Sequence, residues 1–228
     1  KACGIIGSLE IGEIVAAEVQ KQGLFRKDIM LGNTLVDMYA KCGSIKEAQN
    51  VFDILPDRNI VSWGAMILGY VMQEDAIAAL KFFEKLEQTD LKPNRAIYLS
   101  VTKACGSLRA IEQGRFAHSQ IIKSGLESDV AVGTVLADMY IKCGSLEEAR
   151  AVFNKLDKRV VVSWGVMISG YAQFERISCA LKLLCEMHSE NIEADNVTYL
   201  CILSACSKMG ALKQGRLMHD QIIVNGLN

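Results

Sequence analysis

Apolar residues recur at helical spacing along most of the chain. Leu35, Met38 and Tyr39 share one helical face, and the run stops at Gly43. Ser44 followed by Glu47 has the form of a capping box, in which each side chain satisfies the other's backbone N–H. Ala48, Val51, Phe52 and Leu55 then mark the buried face of a second helix, closed by Pro56-Asp57. A second pair starts at Ile60-Val61-Ser62-Trp63 and reaches about Tyr70. Its partner helix, over 75–87, buries Ala79, Leu80 and Phe83. Leu91-Lys92-Pro93-Asn94 ends it, because proline cannot continue a helix and restrains the residue before it. A third pair begins at Arg95. Its first helix is predicted to end near Gly106 and its second to run from about Ala110 to Lys123, with Gly125 as a left-handed stop.

The pattern then returns 101 residues on. Asp37-Met38-Tyr39-Ala40-Lys41-Cys42-Gly43-Ser44 reappears, with one change, at Asp138–Ser145. Ile29–Asn59 and Val130–Val160 share 15 of 31 residues, and Ser62-Trp63-Gly64 returns as Ser163-Trp164-Gly165. The chain therefore divides into units at 29–59 (31 residues), 60–94 (35) and 95–129 (35), then 130–160, 161–195 and an incomplete 196–228. The tail of one more unit occupies 1–28, so the chain is expected to be part of a longer protein. One hairpin cannot bury its apolar face alone. The expected fold class is all-α: a single right-handed α-solenoid of stacked helix-turn-helix repeats over 1–228, with one concave face.

Composition agrees with a packed helical protein, with half the residues hydrophobic and only 2 prolines. Charge is balanced, 25 basic against 26 acidic side chains, which announces no polyanion partner for the chain as a whole. Five of the 8 cysteines recur at repeat-equivalent positions where helices should pack (Cys42 and Cys143; Cys3, Cys105 and Cys206). They read as small apolar residues in a reducing compartment, not as a disulfide framework. The longest uncharged runs, 59–73 and 160–174, are 15 residues long, too short to span a bilayer. No targeting segment is visible and no membrane role is expected.

The 31/35/35 rotation, with "DMYAKCGS", "VFDILPDRN", "VSWGAMILGY" and "GRFAHSQIIKSGLESDV", resembles the pentatricopeptide repeat family, and within it the plant subgroup of alternating P, L and S motifs. The resemblance covers essentially the whole chain. It makes 29–59 and 130–160 S motifs, 60–94 and 161–195 P motifs, 95–129 an L motif, and 1–28 and 196–228 partial L motifs. It implies binding of single-stranded organellar RNA, one base per repeat, in a mitochondrion or chloroplast, with editing or processing proteins as further partners.

Carried over by resemblance, the fifth and last residues of each motif read the base. The pairs are Asn33 with Asn59 (pyrimidine), Gly64 with Asn94 (adenine), Leu99 with Asp129 (a poor reader, as Leu200 is), Thr134 with Val160 (loose) and Gly165 with Asp195 (guanine). Met30, Val61, Ala131 and Val162 would flank the bases, and Lys41 and Lys142 would contact phosphates. Each has a plainer explanation. Asn59, Asn94, Asp129 and Asp195 stand where a helix begins and would be N-caps, Asn33 and Thr134 suit a helix start, and Lys41 and Lys142 suit a solvated surface. Trp63 and Trp164 belong to the core.

No cofactor or metal is expected, and the chain reads as a binding module, not an enzyme. His188-Ser189-Glu190 with Cys201 and Cys206 only partly matches a zinc deaminase pattern, since the cysteine spacing is wrong and no proline precedes it. His118 and His219 have no partner at metal-binding spacing. A protein-interaction scaffold resembling tetratricopeptide repeats is the competing interpretation; it would favour uniform 34-residue units.

Overall fold

The computed structural model describes residues 28–213, together with 12–14, 17, 18, 215 and 216. Cys3 and His219 lie outside them. The described residues form eleven assigned helices. They are α1 (Ile29–Lys41), α2 (Ile45–Ile54), α3 (Ile60–Met72), α4 (Ala76–Glu87) and α5 (Arg95–Leu108). There follow α6 (Ile111–Lys123), α7 (Val130–Lys142), α8 (Leu146–Asn154), α9 (Val161–Gln173), α10 (Ile177–Ser189) and α11 (Asn196–Lys208). Contacts divide the chain after Leu108 into two compact units, each described by itself. The fold class is an all-α solenoid of helical repeats.

In the first unit α1 pairs with α2 and α3 with α4, while α1, α3 and α5 lie side by side as one layer. The second helix of each hairpin leans on the first helix of the next. Aromatic rings fill that joint. Phe52 of α2 meets Trp63 of α3 edge-on at 4.9 Å, and Phe82 of α4 closes on both, at 5.7 Å and 5.9 Å. Each such ring contributes about 1.5–3 kcal/mol through burial, which orders the stacking far more than helix propensity does. The second unit repeats the arrangement with α7/α8, α9/α10 and α11, and Phe153 meets Trp164 at 4.8 Å. Both tryptophans are buried, as their place on an apolar stripe implies.

Two local expectations are corrected. Ser44 and Ser145 stand at the N-termini of α2 and α8, yet neither side chain caps the backbone. The glycines before them, Gly43 and Gly144, turn at φ of 85° and 83°. Each serine stands at ψ near 65–71°. At the same backbone angle (ψ 71°) the carboxylate of Asp75 does accept the Ala78 N–H of α4, so it is the shorter serine side chain, not the turn, that falls short. Likewise Gly106 does not stop α5. The helix runs on to Leu108, and Arg109 takes the left-handed conformation at φ 53°. Gly106 is buried inside the helix, where packing overrides its flexibility. Gly125 does stop α6, at φ 71°.

Candidate nucleic-acid interface

The layer of first helices in the first unit carries a cavity of about 690 Å³. Met30, Asn33, Asn59, Val61, Gly64, Asn94 and Leu99, all singled out from sequence, line it together. Thr34, Asp37, Leu68 and Ser100, among others, also line it and were not foreseen.

Asn59 is the pivot. Its Oδ1 accepts the N–H groups of Val61 and Ser62 at 3.0 Å and 3.1 Å, so it caps α3. Asn33 Nδ2 donates to the same oxygen at 3.1 Å. Backbone N–H groups can only donate, so the Asn59 amide has a single possible orientation, and Asn33 must in turn offer its NH2. The Asn59 NH2 is thereby the edge that remains. The cap thus decides which atom of the Asn59 amide is presented.

Asn94 follows the same rule more loosely. Its Oδ1 accepts the Ile97 N–H at 3.1 Å, which leaves its NH2 outward in sense, and Gly64 beside it has no side chain. Met30 is 75% exposed and Val61 55%, an unusual state for large apolar residues in a packed layer. Lys41 lies on the same helix as Asn33, but its Nζ donates to Asp37 at 2.8 Å, four residues back, so an ion pair already holds it.

In the second unit the foreseen residues are arranged differently. Asp129 caps α7 through the N–H groups of Ala131 and Val132. Thr134 turns its hydroxyl to the Val130 carbonyl at 2.6 Å, and Lys142 pairs with Asp138 at 2.7 Å. Val160 cannot cap; the Ser163 hydroxyl accepts its N–H and donates to its carbonyl instead. Asp195 caps α11, its Oδ1 accepting from Thr198 N–H at 2.9 Å and from the Thr198 hydroxyl at 2.7 Å. Val162 is 65% exposed, while Ala131 is half-buried. A second cavity of about 440 Å³ between α9 and α11 is lined by Gln173, Val197, Leu200, Ser204 and Lys208 among others.

Three residues were missed by sequence reasoning. Asp28 closes the partial first unit and caps α1 through Met30 and Leu31. Val197 holds the second place of its unit and is 65% exposed, like Val162. Lys208 holds the thirteenth place, the same as Lys41 and Lys142, but Ser204 stands where they have aspartate. Register alone would have found all three, had it been carried into the incomplete units.

Several other charged side chains are held in ion pairs of their own. Arg115 binds Glu148 at 2.7 Å and Arg150 binds Glu186 at 2.7 Å, linking α6, α8 and α10. The Arg115 hydrogen bond holds the Glu148 carboxyl below the usual glutamate range. Among the described residues no group of three His, Cys, Asp or Glu side chains is placed to hold a metal, no disulfide forms, and no helix is long and apolar enough to cross a membrane.

Stacked helical hairpins with one face lined by a register of short polar groups define a helical-repeat protein. Family models agree: one described as the PPR repeat family matches residues 159–208, the pentatricopeptide repeat domain matches 57–107, and the PPR repeat matches 33–60 and 134–160. The chain belongs to the pentatricopeptide repeat family. It is 37% identical over 226 residues to an Arabidopsis thaliana pentatricopeptide repeat-containing protein named as mitochondrial, covering 99% of this chain and 36% of that one. A second, named as chloroplastic, is 36% identical over 228 residues, covering 100% of this chain and 28% of the relative. The chain thus spans about a third of the length of the curated relatives it matches. The crystal structure of pentatricopeptide repeat protein PPR10 in complex with an 18-nt psaJ RNA element superposes with a TM-score of 0.81 at 19% identity, over 99% of this chain and 34% of that one. The crystal structure of the pentatricopeptide repeat protein PPR10 from maize superposes with a TM-score of 0.74 at 15% identity, over 93% of this chain and 32% of that one.

Proposed function

We propose that this chain is a sequence-biased binding module for single-stranded RNA, one base per hairpin, specifying sites for editing or processing in a mitochondrion or chloroplast. It serves as part of a longer protein, with the motif boundaries 29–59, 60–94, 95–129, 130–160 and 161–195 setting the register. The chain binds and does not catalyse; editing or processing proteins supply the chemistry.

The observation that carries this is the Asn33–Asn59 pair on the cavity wall. A locked NH2 is a hydrogen-bond donor, and cytosine offers an acceptor at its ring N3. Asn94, with its oxygen taken by Ile97, presents the same donor, which suits the N1 acceptor of adenine. Asp195 can only accept, which suits the N1–H and N2–H of guanine. Thr134 and Val160 offer no free polar edge of this kind, and Leu99 offers none at all, so their positions are loose. Met30, Val61 and Val162 would sandwich the bases with exposed apolar surface. With the first unit toward the 5′ end, the preferred word is pyrimidine, adenine, two loose positions, guanine.

Five positions distinguish only about 10³ words, so this segment alone binds weakly and selects within a longer register. A gel-shift series compares that word with its scrambled version in the same flanks. Tighter binding of the ordered word, by about tenfold or more, supports the proposal. Equal binding of both overturns base reading.

A further inference from the structure

The base-reading groups need something to hold them, and the repeats solve this differently. In the 29–59 repeat the fifth residue does it, since Asn33 donates to the oxygen of Asn59. In the 161–195 repeat the fifth residue is Gly165, which has no side chain. The third residue of the next repeat, Thr198, stands there instead: a Cβ built on Gly165 would lie 3.3 Å from its Oγ1. That hydroxyl donates to Asp195 Oδ1 at 2.7 Å, and the Thr198 N–H donates to the same oxygen at 2.9 Å. Thr198 is 1% exposed, so it has few other rotamers available. At the matching place in the 60–94 repeat, Gly64 is backed by Ile97, whose side chain cannot donate, and Asn94 is held by one backbone N–H only. The third-place serines of the two P motifs, Ser62 and Ser163, do not act this way, because their hydroxyls bond to main-chain atoms.

We propose that Thr198 is a positioning residue for base recognition by the Gly165/Asp195 repeat, replacing the side chain that its fifth position lacks. By saturating Oδ1 from two directions, it fixes the carboxylate plane and leaves Oδ2 as the acceptor offered to guanine. The corollary is that a glycine-containing repeat backed by a hydroxyl discriminates bases, and one backed by an aliphatic residue discriminates poorly. This rests on the RNA-binding proposal and adds a residue to it.

The test measures affinities of the whole chain for oligonucleotides carrying each of the four bases at the fifth position, and separately at the first. Thr198→Val removes the hydroxyl and keeps the shape; Thr198→Ser keeps the hydroxyl. Guanine preference at the fifth position is expected to fall about tenfold in Thr198→Val, the effect of one lost charge-assisted hydrogen bond. Thr198→Ser should retain it, and preference at the first position should be unchanged in both. A Thr198→Val protein that keeps the full guanine preference overturns the inference, as does a Thr198→Ser protein that loses it. A parent chain with no base preference at either position overturns the base-reading proposal, and this inference with it. A parent that discriminates at the first position alone overturns only the role of the Gly165/Asp195 repeat.

Discussion

Asn33 and Asn59, 26 residues apart, meet side chain to side chain at 3.1 Å, and the meeting sets which way both amides face. The Asn59 oxygen is committed to three donors, two of them the first N–H groups of α3. The helix cap and the proposed recognition element are therefore one group, and a substitution that separates the two is available.

Asn59→Asp keeps the capping oxygen and replaces the presented NH2 by an acceptor. Melting should shift by no more than about 0.5 kcal/mol, while the first-position preference should move from cytosine to uracil, whose N3 carries a hydrogen. Asn59→Ala should lose both the preference and about 1 kcal/mol of stability. Thermal melts and single-base competition assays distinguish these outcomes; an aspartate variant that still prefers cytosine contradicts the donor argument.

Lys208 should matter more to phosphate binding than Lys41 or Lys142. The latter two must leave Asp37 and Asp138 before they serve RNA, whereas Ser204 replaces the aspartate at Lys208. Lys208→Ala should reduce the slope of log K against log salt by about 0.7, the value for one contact to a single strand. Asp37→Asn should raise affinity by releasing Lys41. Binding titrations at several salt concentrations check both.

Gly69 and Gly170, equivalent in the two copies, are points of close helix approach. A Cβ at Gly69 would come within 2.7 Å of Ala40 Cβ, and one at Gly170 within 2.6 Å of Ile141 Cδ1. Helix propensity favours alanine over glycine by about 1 kcal/mol, but the overlap costs about 1–3 kcal/mol. Gly69→Ala should be the more destabilising, because Ala40 has no flexible end to move aside. Comparative thermal denaturation of the two variants decides the order.

Stability should fall as pH drops from about 6.5. Burial, with a contribution from Lys155, pushes the His118 pKa down, while the nearby Glu127 and Glu148 oppose it. Burial also lifts the Tyr140 hydroxyl to about 12, so Tyr140 stays protonated, and it shares a hydrogen bond with His118 Nδ1 at 2.8 Å. The native state thus prefers neutral histidine. The unfolded chain binds the proton first, so stability is complete above the ordinary histidine range and is lost as pH falls through the depressed value. His118→Gln should flatten this part of the melting-temperature profile.

Helix positions were legible because the same spacing recurs in copies 101 residues apart, so chance apolar matches cancel. The candidate reading positions were legible only as register. The sequence sets Asn59 beside Asn33 and Asn94 beside Gly64, but it does not reveal which oxygen each amide commits, or that Asn33 locks Asn59 while Asn94 has a single backbone donor. The failed serine caps at Ser44 and Ser145 have a related origin: the residue type is right, but at this backbone angle the Asp75 carboxylate reaches its helix and the shorter serine hydroxyl does not. Lys41 and Lys142 looked like available cations, although the aspartates four residues earlier were in plain view.

By itself the amino-acid sequence determined the repeat lengths, the all-α class, the buried aromatic faces and the family, because periodicity and local helix chemistry act within a few turns. Tertiary structure alone decided which polar atoms are presented. That choice depends on donors arriving from other hairpins and from the next helix, Asn33 onto Asn59 and Thr198 onto Asp195 behind Gly165, where fractions of an ångström separate a satisfied oxygen from an offered one.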